Sequence, residues 1–246
     1  MERTQKNIAV VALSGGLDSC VTAAIAAQDY QIVLLHINYG QRTEKRELKA
    51  FTDIADYYVV KERMVIDLEH FSRIGGSSLT DLKMDVSKAD LGYRRNLPAD
   101  ARLRREASSK VPTSYVPFRN ANILASCVSW AEVLNAKAIF IGAVFEDSSG
   151  YPDCRPEFFK SFEQVIKTGT DPKTHIEIET PIIHLTKAEI IKKGIKLNAP
   201  LHLTWSCYKN EEIACGECES CALRLRGFQK AGMEDPIAYK VKPIYL

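Results

Sequence analysis

Long apolar runs are missing from this chain. No segment is long enough and free enough of charge to span a bilayer, and Met1 to Lys6 lead straight into a strand-like run, without the apolar core and cleavage site of a secretory leader. No membrane role is therefore expected, and the expected location is cytoplasmic. A dominant charge is missing too: 33 Lys and Arg stand against 31 Asp and Glu, a net charge of +2. A dedicated nucleic-acid binder carries a strong basic excess, so any such role here would rest on a local patch. The five histidines are scattered and form no metal-ligand pair. Seven cysteines, an odd number with four gathered near the C-terminus, suit a metal site in a reducing compartment better than a disulfide framework. There is no internal repeat or low-complexity tract. What is there is ordinary globular composition, 46% hydrophobic and 26% charged over 246 residues, enough to bury a full core.

The organising stretch is Ser14-Gly15-Gly16-Leu17-Asp18-Ser19, between the apolar run Ile8 to Leu13 and the Ala- and Val-rich Val21 to Ala27. Buried strand, glycine turn and helix start put free backbone N–H groups at a helix N-terminus, where an anion is favoured. The glycines let the backbone approach a phosphate, Ser14 and Ser19 add hydroxyls, and Asp18 is placed to hold Mg2+. The pattern G-x-x-x-x-G-K-[ST] is absent, so γ-phosphoryl transfer is not the first reading.

Apolar runs at Ile32 to Ile37, Arg63 to Leu68, Ala138 to Val144 and Ile176 to Ile183 predict further strands. Helical spacing of apolar residues at Leu48 to Tyr58, Ile123 to Leu134 and Phe158 to Ile166 predicts helices between them, with a short basic helix over Lys187 to Leu197. The alternation predicts an α/β fold, a parallel sheet flanked by helices, with ligands at the C-terminal ends of the strands. The cradle and Tyr39-Gly40-Gln41-Arg42 both fall on that edge. From Gly75 to Pro117 the periodicity lapses, and Arg94, Arg95, Arg102, Arg104, Arg105 and Lys110 face only Asp100 and Glu106. The first reading is a solvated excursion; the functional one is a clamp for phosphates, RNA or a protein partner.

Cys207, Cys215, Cys218 and Cys221 have the spacing C-x7-C-x2-C-x2-C. Four thiolates so close suit a structural Zn2+ with no open position; an iron–sulfur cluster and redox pairs rank behind it. Asp147, Tyr151, Asp153 and Arg155 follow a strand on the ligand edge, where a carboxylate suits the N–H donors of a guanine-like base and an arginine suits an anion. A polar turn leading into a helix is an equal reading. Cys154, with no histidine nearby in sequence, is taken as structural. Asn120 is expected to cap a helix with Arg119 beside it, and Thr186-Lys187-Ala188-Glu189 reads as a capping box. Arg119 and Lys187 are phosphate contacts or surface residues.

The hexapeptide resembles the SGGxDS signature of the PP-loop N-type ATP pyrophosphatases. Taken with NYGQR, VPFRN, SGYPDCRPEF, LTKAEI and SCYKNEEIACGECESCALRLRGF, the chain resembles the 7-cyano-7-deazaguanine synthases of the queuosine pathway over nearly its whole length. The resemblance implies a Rossmann-like, adenine nucleotide alpha hydrolase-like domain over residues 1–204 and a four-cysteine zinc module over 205–246. It implies ATP-dependent conversion of 7-carboxy-7-deazaguanine and ammonia to the nitrile, in a homodimer. Ser14, Gly15, Gly16, Leu17, Asp18 and Ser19 would hold ATP, with Asp18, Ser19, Arg119 and Lys187 serving the chemistry. Asp147, Tyr151, Asp153 and Arg155 would line the deazaguanine pocket, and the four cysteines would bind one structural zinc.

Two departures stand beside that site: Phe118 where many members have glycine, and the length of the basic excursion. They leave two other ligase readings, a protein amine docked through 94–110 or an ATP-dependent tRNA modification. A noncatalytic zinc-bearing nucleic-acid binder is opposed by the intact cradle.

Overall fold

The computed structural model describes residues 6–89, 111–145 and 150–245. The basic excursion, Arg94 to Lys110, and Asp147 lie outside the described residues. Five parallel strands stand in the order β3-β2-β1-β4-β5: β1 (Ile8–Ala12), β2 (Gln31–Asn38), β3 (Arg63–Asp67), β4 (Ala138–Ile141) and β5 (Glu177–Glu179). The helices between them are α1 (Leu17–Asp29), α2 (Glu44–Tyr57), the short α3 (His70–Ile74), α4 (Arg119–Val133), α5 (Pro156–Gly169), α6 (Lys187–Lys196) and α7 (Glu219–Ala231). Strand order reverses between β1 and β4, the place where a parallel sheet opens a crevice at its strand ends.

Each inner strand is largely apolar because both of its faces are covered, with His36 and Asn38 of β2 the buried polar exceptions. Val10, Val33, Leu35 and Ile139 pack on Leu124, Cys127 and Ala131 of α4 and on Phe159 and Ile166 of α5. The alternate residues Ala9, Val11, Leu34 and Phe140 pack on Cys20 and Ala23 of α1 and on Phe51 and Ile54 of α2. β3 closes one edge, and Arg63, Val65 and Asp67 are exposed. β5 is shorter than the apolar run Ile176 to Ile183 predicts. Pro181 follows it and has no N–H to add to the ladder, and Ile182 and Ile183 bury themselves in a turn instead.

Two glycines set how the C-terminal helices pack, α6 against α1 and α7 against α6. A Cβ on Gly194 of α6 would lie 2.7 Å from Val21 Cγ2, and one on Gly227 of α7 would lie 2.5 Å from Lys187 Cγ. The close approach brings the start of α6 against the start of α1. No helix of the described residues is long and apolar enough to cross a membrane.

Candidate active site

At the switch between β1 and β4 a cavity of about 270 Å³ opens, with Ser14, Gly16, Leu17, Asp18 and Ser19 on one side. Gly15 turns the chain with φ +82°, and its missing Cβ would sit 2.6 Å from the Glu47 carbonyl oxygen. Gly16 precedes α1 and no side chain caps that helix, so the first-turn amides face the anion-binding end. Ser14 Oγ and Ser19 Oγ are 3.1 Å apart, and Ser19 Oγ donates to the Gly16 carbonyl at 3.1 Å. Gly142, just past β4, lies so close that a Cβ there would be 2.8 Å from Ser19 N.

Lys187 Nζ donates to both oxygens of Asp18, at 2.7 and 2.6 Å, and is largely buried. The predicted capping box places it: Thr186 Oγ1 accepts from Glu189 N at 3.3 Å and Glu189 Oε2 accepts from Thr186 N at 2.8 Å. A cation at the first turn of α6 sits at the wrong end of a helix dipole and needs an anion beside it. In the structure that anion is Asp18.

Across the cavity stand Arg119 and three tyrosines, Tyr39, Tyr151 and Tyr208. Arg119 Nη1 donates to Tyr39 Oη at 3.0 Å, its guanidinium lies 5.1 Å from the Tyr39 ring centre and 6.0 Å from that of Tyr151, and its Nε is buried with no partner. A buried guanidinium N–H without an acceptor is costly, and an anionic ligand would complete it. Tyr151 Oη donates to Ser114 Oγ at 2.9 Å, and Ser114 Oγ donates to Glu219 Oε2 of α7 at 3.3 Å. Burial raises the Tyr39, Tyr151 and Tyr208 hydroxyls above the usual phenol range and the Cys154 thiol to about 12, so these groups keep their protons.

Glu47, in the same wall, is different. Burial lifts its carboxyl to about 7, against the lowering effect of hydrogen bonds from Thr43 Oγ1 (2.7 Å) and Gln41 Nε2 (3.3 Å) and of the Arg119 charge.

Residues 8–232 match the family model described as queuosine biosynthesis protein QueC. The chain belongs to that family. Curated relatives named 7-cyano-7-deazaguanine synthase have the same extent. The one from Chloroherpeton thalassium is 58% identical over 239 residues, 97% of this chain and 99% of its own. The one from Chlorobium chlorochromatii is 54% identical over 239 residues, 97% of this chain and 98% of its own. Among solved structures, NMN synthetase from Francisella tularensis aligns over 81% of this chain and 65% of its own at 16% identity, with TM-score 0.40.

Of the residues expected in the QueC site, Ser14, Gly16, Leu17, Asp18, Ser19 and Lys187 on one side and Arg119 and Tyr151 on the other make up the cavity wall, with Gly15 immediately behind the cradle. Asp153 is not in that wall. It is buried behind Asn120, its Oδ2 accepting from Asn120 N at 2.9 Å while its Oδ1 has no partner, and burial raises its pKa. Arg155 is exposed at the start of α5, away from the cavity, and Asp147 lies outside the described residues.

Asn120 does not cap α4, which begins one residue earlier. Its side-chain amide instead donates to the Asp153 carbonyl at 2.8 Å and ties the Tyr151 turn to the helix. Phe118 precedes α4 with φ +58°, a conformation in which glycine is at ease and phenylalanine is not. Arg42 turns away from the cavity. Its guanidinium donates to the carbonyls of Ser78 (2.7 Å), Asp81 (2.9 Å) and Met84, and so fastens the segment that follows α3.

The four cysteine sulfurs lie within 4.8 Å of one another. A tetrahedral zinc with Zn–S of about 2.3 Å has sulfur–sulfur edges of about 3.8 Å, and Cys215 and Cys221 are 3.8 Å apart. Backbone amides of Lys209, Asn210 and Cys215 donate to Cys207 Sγ, and those of Glu217 and Cys218 to Cys215 Sγ, as thiolates require. Gly216, with φ +83°, permits the turn. The donor set therefore fits a metal ion. Trp205 leads into this module, and its backbone N–H donates to the Gly15 carbonyl at 2.9 Å, linking metal site and cradle directly.

Sequence reasoning left out Glu47, Tyr208, Trp205 and Asn120 as cavity residues. For Glu47 the available signal was position, one turn beyond the Tyr39 to Arg42 segment on the ligand edge.

Proposed function

We propose that this chain is a 7-cyano-7-deazaguanine synthase, an ATP-dependent C–N ligase of queuosine biosynthesis. The carrying observation is the single cavity in which a phosphate cradle faces Arg119, whose buried Nε lacks an acceptor between two tyrosine rings. ATP adenylates the carboxylate of 7-carboxy-7-deazaguanine, releasing pyrophosphate, and ammonia displaces AMP to give the amide. A second adenylation, on the amide oxygen, and loss of AMP give the nitrile.

The side chains serve this chemistry by position and charge. The amides and hydroxyls of Ser14 to Ser19 hold phosphate oxygens, and Lys187 exchanges Asp18 for the ATP phosphates. Arg119 takes the substrate carboxylate, and Tyr39, Tyr151 and Tyr208 enclose the flat ring. Asp153 acts by fixing the turn that carries Tyr151, and the family resemblance assigns Asp147 and Arg155 to substrate binding. Mg2+ suits Asp18, because this ion is held by one or two carboxylates plus phosphates, and when bound it neutralises phosphate charge. Zn2+ on Cys207, Cys215, Cys218 and Cys221 is structural. Residues 205–246 form the zinc module on the nucleotide-binding domain of residues 1–204, and the enzyme is a cytoplasmic homodimer.

The test is isotope exchange between pyrophosphate and ATP. Exchange that depends on 7-carboxy-7-deazaguanine supports this reading, and exchange indifferent to it would overturn the substrate assignment.

A further inference from the structure

The nitrogen of this reaction enters at neutral pH as ammonium, with four protons, and leaves in a nitrile with none. Ammonium gives up one proton to become a nucleophile, and the tetrahedral adduct gives up a second as AMP departs. The adenylated amide loses the last two as its C–O bond breaks. A group that accepts a proton near neutral pH, beside the reacting carbon, would speed these steps.

Among the described residues that line the cavity, the carboxylates are Asp18 and Glu47, and none is a histidine. Asp18 is held by Lys187 at 2.6 and 2.7 Å. The tyrosines and Cys154 keep their protons, and Arg119, Lys187 and Arg224 are cations.

Resting on the synthase reading above, we propose that Glu47 is the proton acceptor for the incoming nitrogen, binding ammonium at its carboxylate and releasing ammonia to the acyl adenylate. Its geometry suits the task. Thr43 Oγ1 donates to Oε1 at 2.7 Å, and Gln41 Nε2 donates to Oε2 at 3.3 Å. Gln41 is itself fixed, because its Oε1 accepts from Tyr39 N at 2.8 Å. Each oxygen keeps a lone pair for ammonium, and the backbone carbonyl of Glu47 packs against Gly15 of the cradle. The groups facing the carboxyl are Thr43 and Glu44 on its own side, Gln41 and Tyr39 from the strand end, and Arg119 from α4. The ordinary glutamate pKa would leave too weak a base for ammonium; the raised value of about 7 brings the two closer.

The experiment compares wild type, E47Q and E47D in two assays, ATP–pyrophosphate exchange with 7-carboxy-7-deazaguanine and ammonia-dependent amide formation. E47Q is expected to keep the exchange and to lose amide formation at least 100-fold with ammonium. Its hydroxamate yield with hydroxylamine, a nucleophile already unprotonated at neutral pH, should stay near that of wild type. Wild-type kcat/KM for total ammonium should rise through about pH 7 and then level, with E47D moving that limb. Amide formation by E47Q at the wild-type rate, or a wild-type profile that follows free ammonia into alkaline pH, would overturn the proposal. So would equal loss with ammonium and hydroxylamine. If wild type itself showed no substrate-dependent exchange, the synthase reading would fail instead.

Discussion

Lys187 carries the sharpest residue-scale expectation. Its ammonium is presented to the cavity by a capped helix and a glycine contact, and is paired there with Asp18. K187A should lower the adenylation rate by about 10²–10³-fold, the usual effect of removing one positioned donor from developing charge, as read by pyrophosphate exchange. Phe118 has a backbone that only glycine adopts without strain. F118G, which relieves that strain, should melt no lower than wild type in thermal or denaturant melts, whereas F118V, β-branched at φ +58°, should melt lower. Glu47 has a raised pKa in the folded state, so folding favours its protonated form. Stability is then lost as pH rises from the ordinary glutamate range to about 7, and E47Q should flatten that part of the stability–pH curve. These residues differ in how visible they were. Lys187 was marked by its capping box and Ser14 to Ser19 by their motif. Glu47 looked like any polar residue on an amphipathic helix, because burial is a property of what packs over it. Asp153 looked like a ligand-edge carboxylate, and only the position of Asn120 shows it tying α4 to the Tyr151 turn.

At the scale of elements, the strands β1, β2 and β4 and the helices α2, α4 and α5 were legible, since unbroken apolar runs and three- and four-residue spacing report two-sided and one-sided burial. The lengths of β4 and β5 were not: Gly142 and Pro181 end their ladders, while the apolar residues beyond them are buried in loops. Gly142 should be intolerant, because a methyl there meets the backbone of Asp18 and Ser19 at 2.8 to 2.9 Å. G142A should cost about 1–3 kcal/mol as overpacking does, and weaken ATP binding as well. The cysteine module should behave as part of the active site. Chelation, or C215S, should lower the melting temperature and reduce ATP affinity together, because the bond from the Trp205 backbone N–H to the Gly15 carbonyl joins the two. A melt that falls while ATP titrations stay unchanged would separate them.

The whole molecule is a parallel sheet whose switch point is closed from one side by the turn before α4 and from the other by the cysteine module. Charge balance at this scale argues against a nucleic-acid substrate, so turnover should be indifferent to added tRNA. Sedimentation equilibrium should return twice the 27.6 kDa chain mass. The measurement that bears most directly on function follows AMP and product together by mass spectrometry, with 7-carboxy-7-deazaguanine, ATP, magnesium and ammonium. The nitrile appearing with two AMP per molecule is the predicted result. AMP released with no nitrile or amide would contradict it.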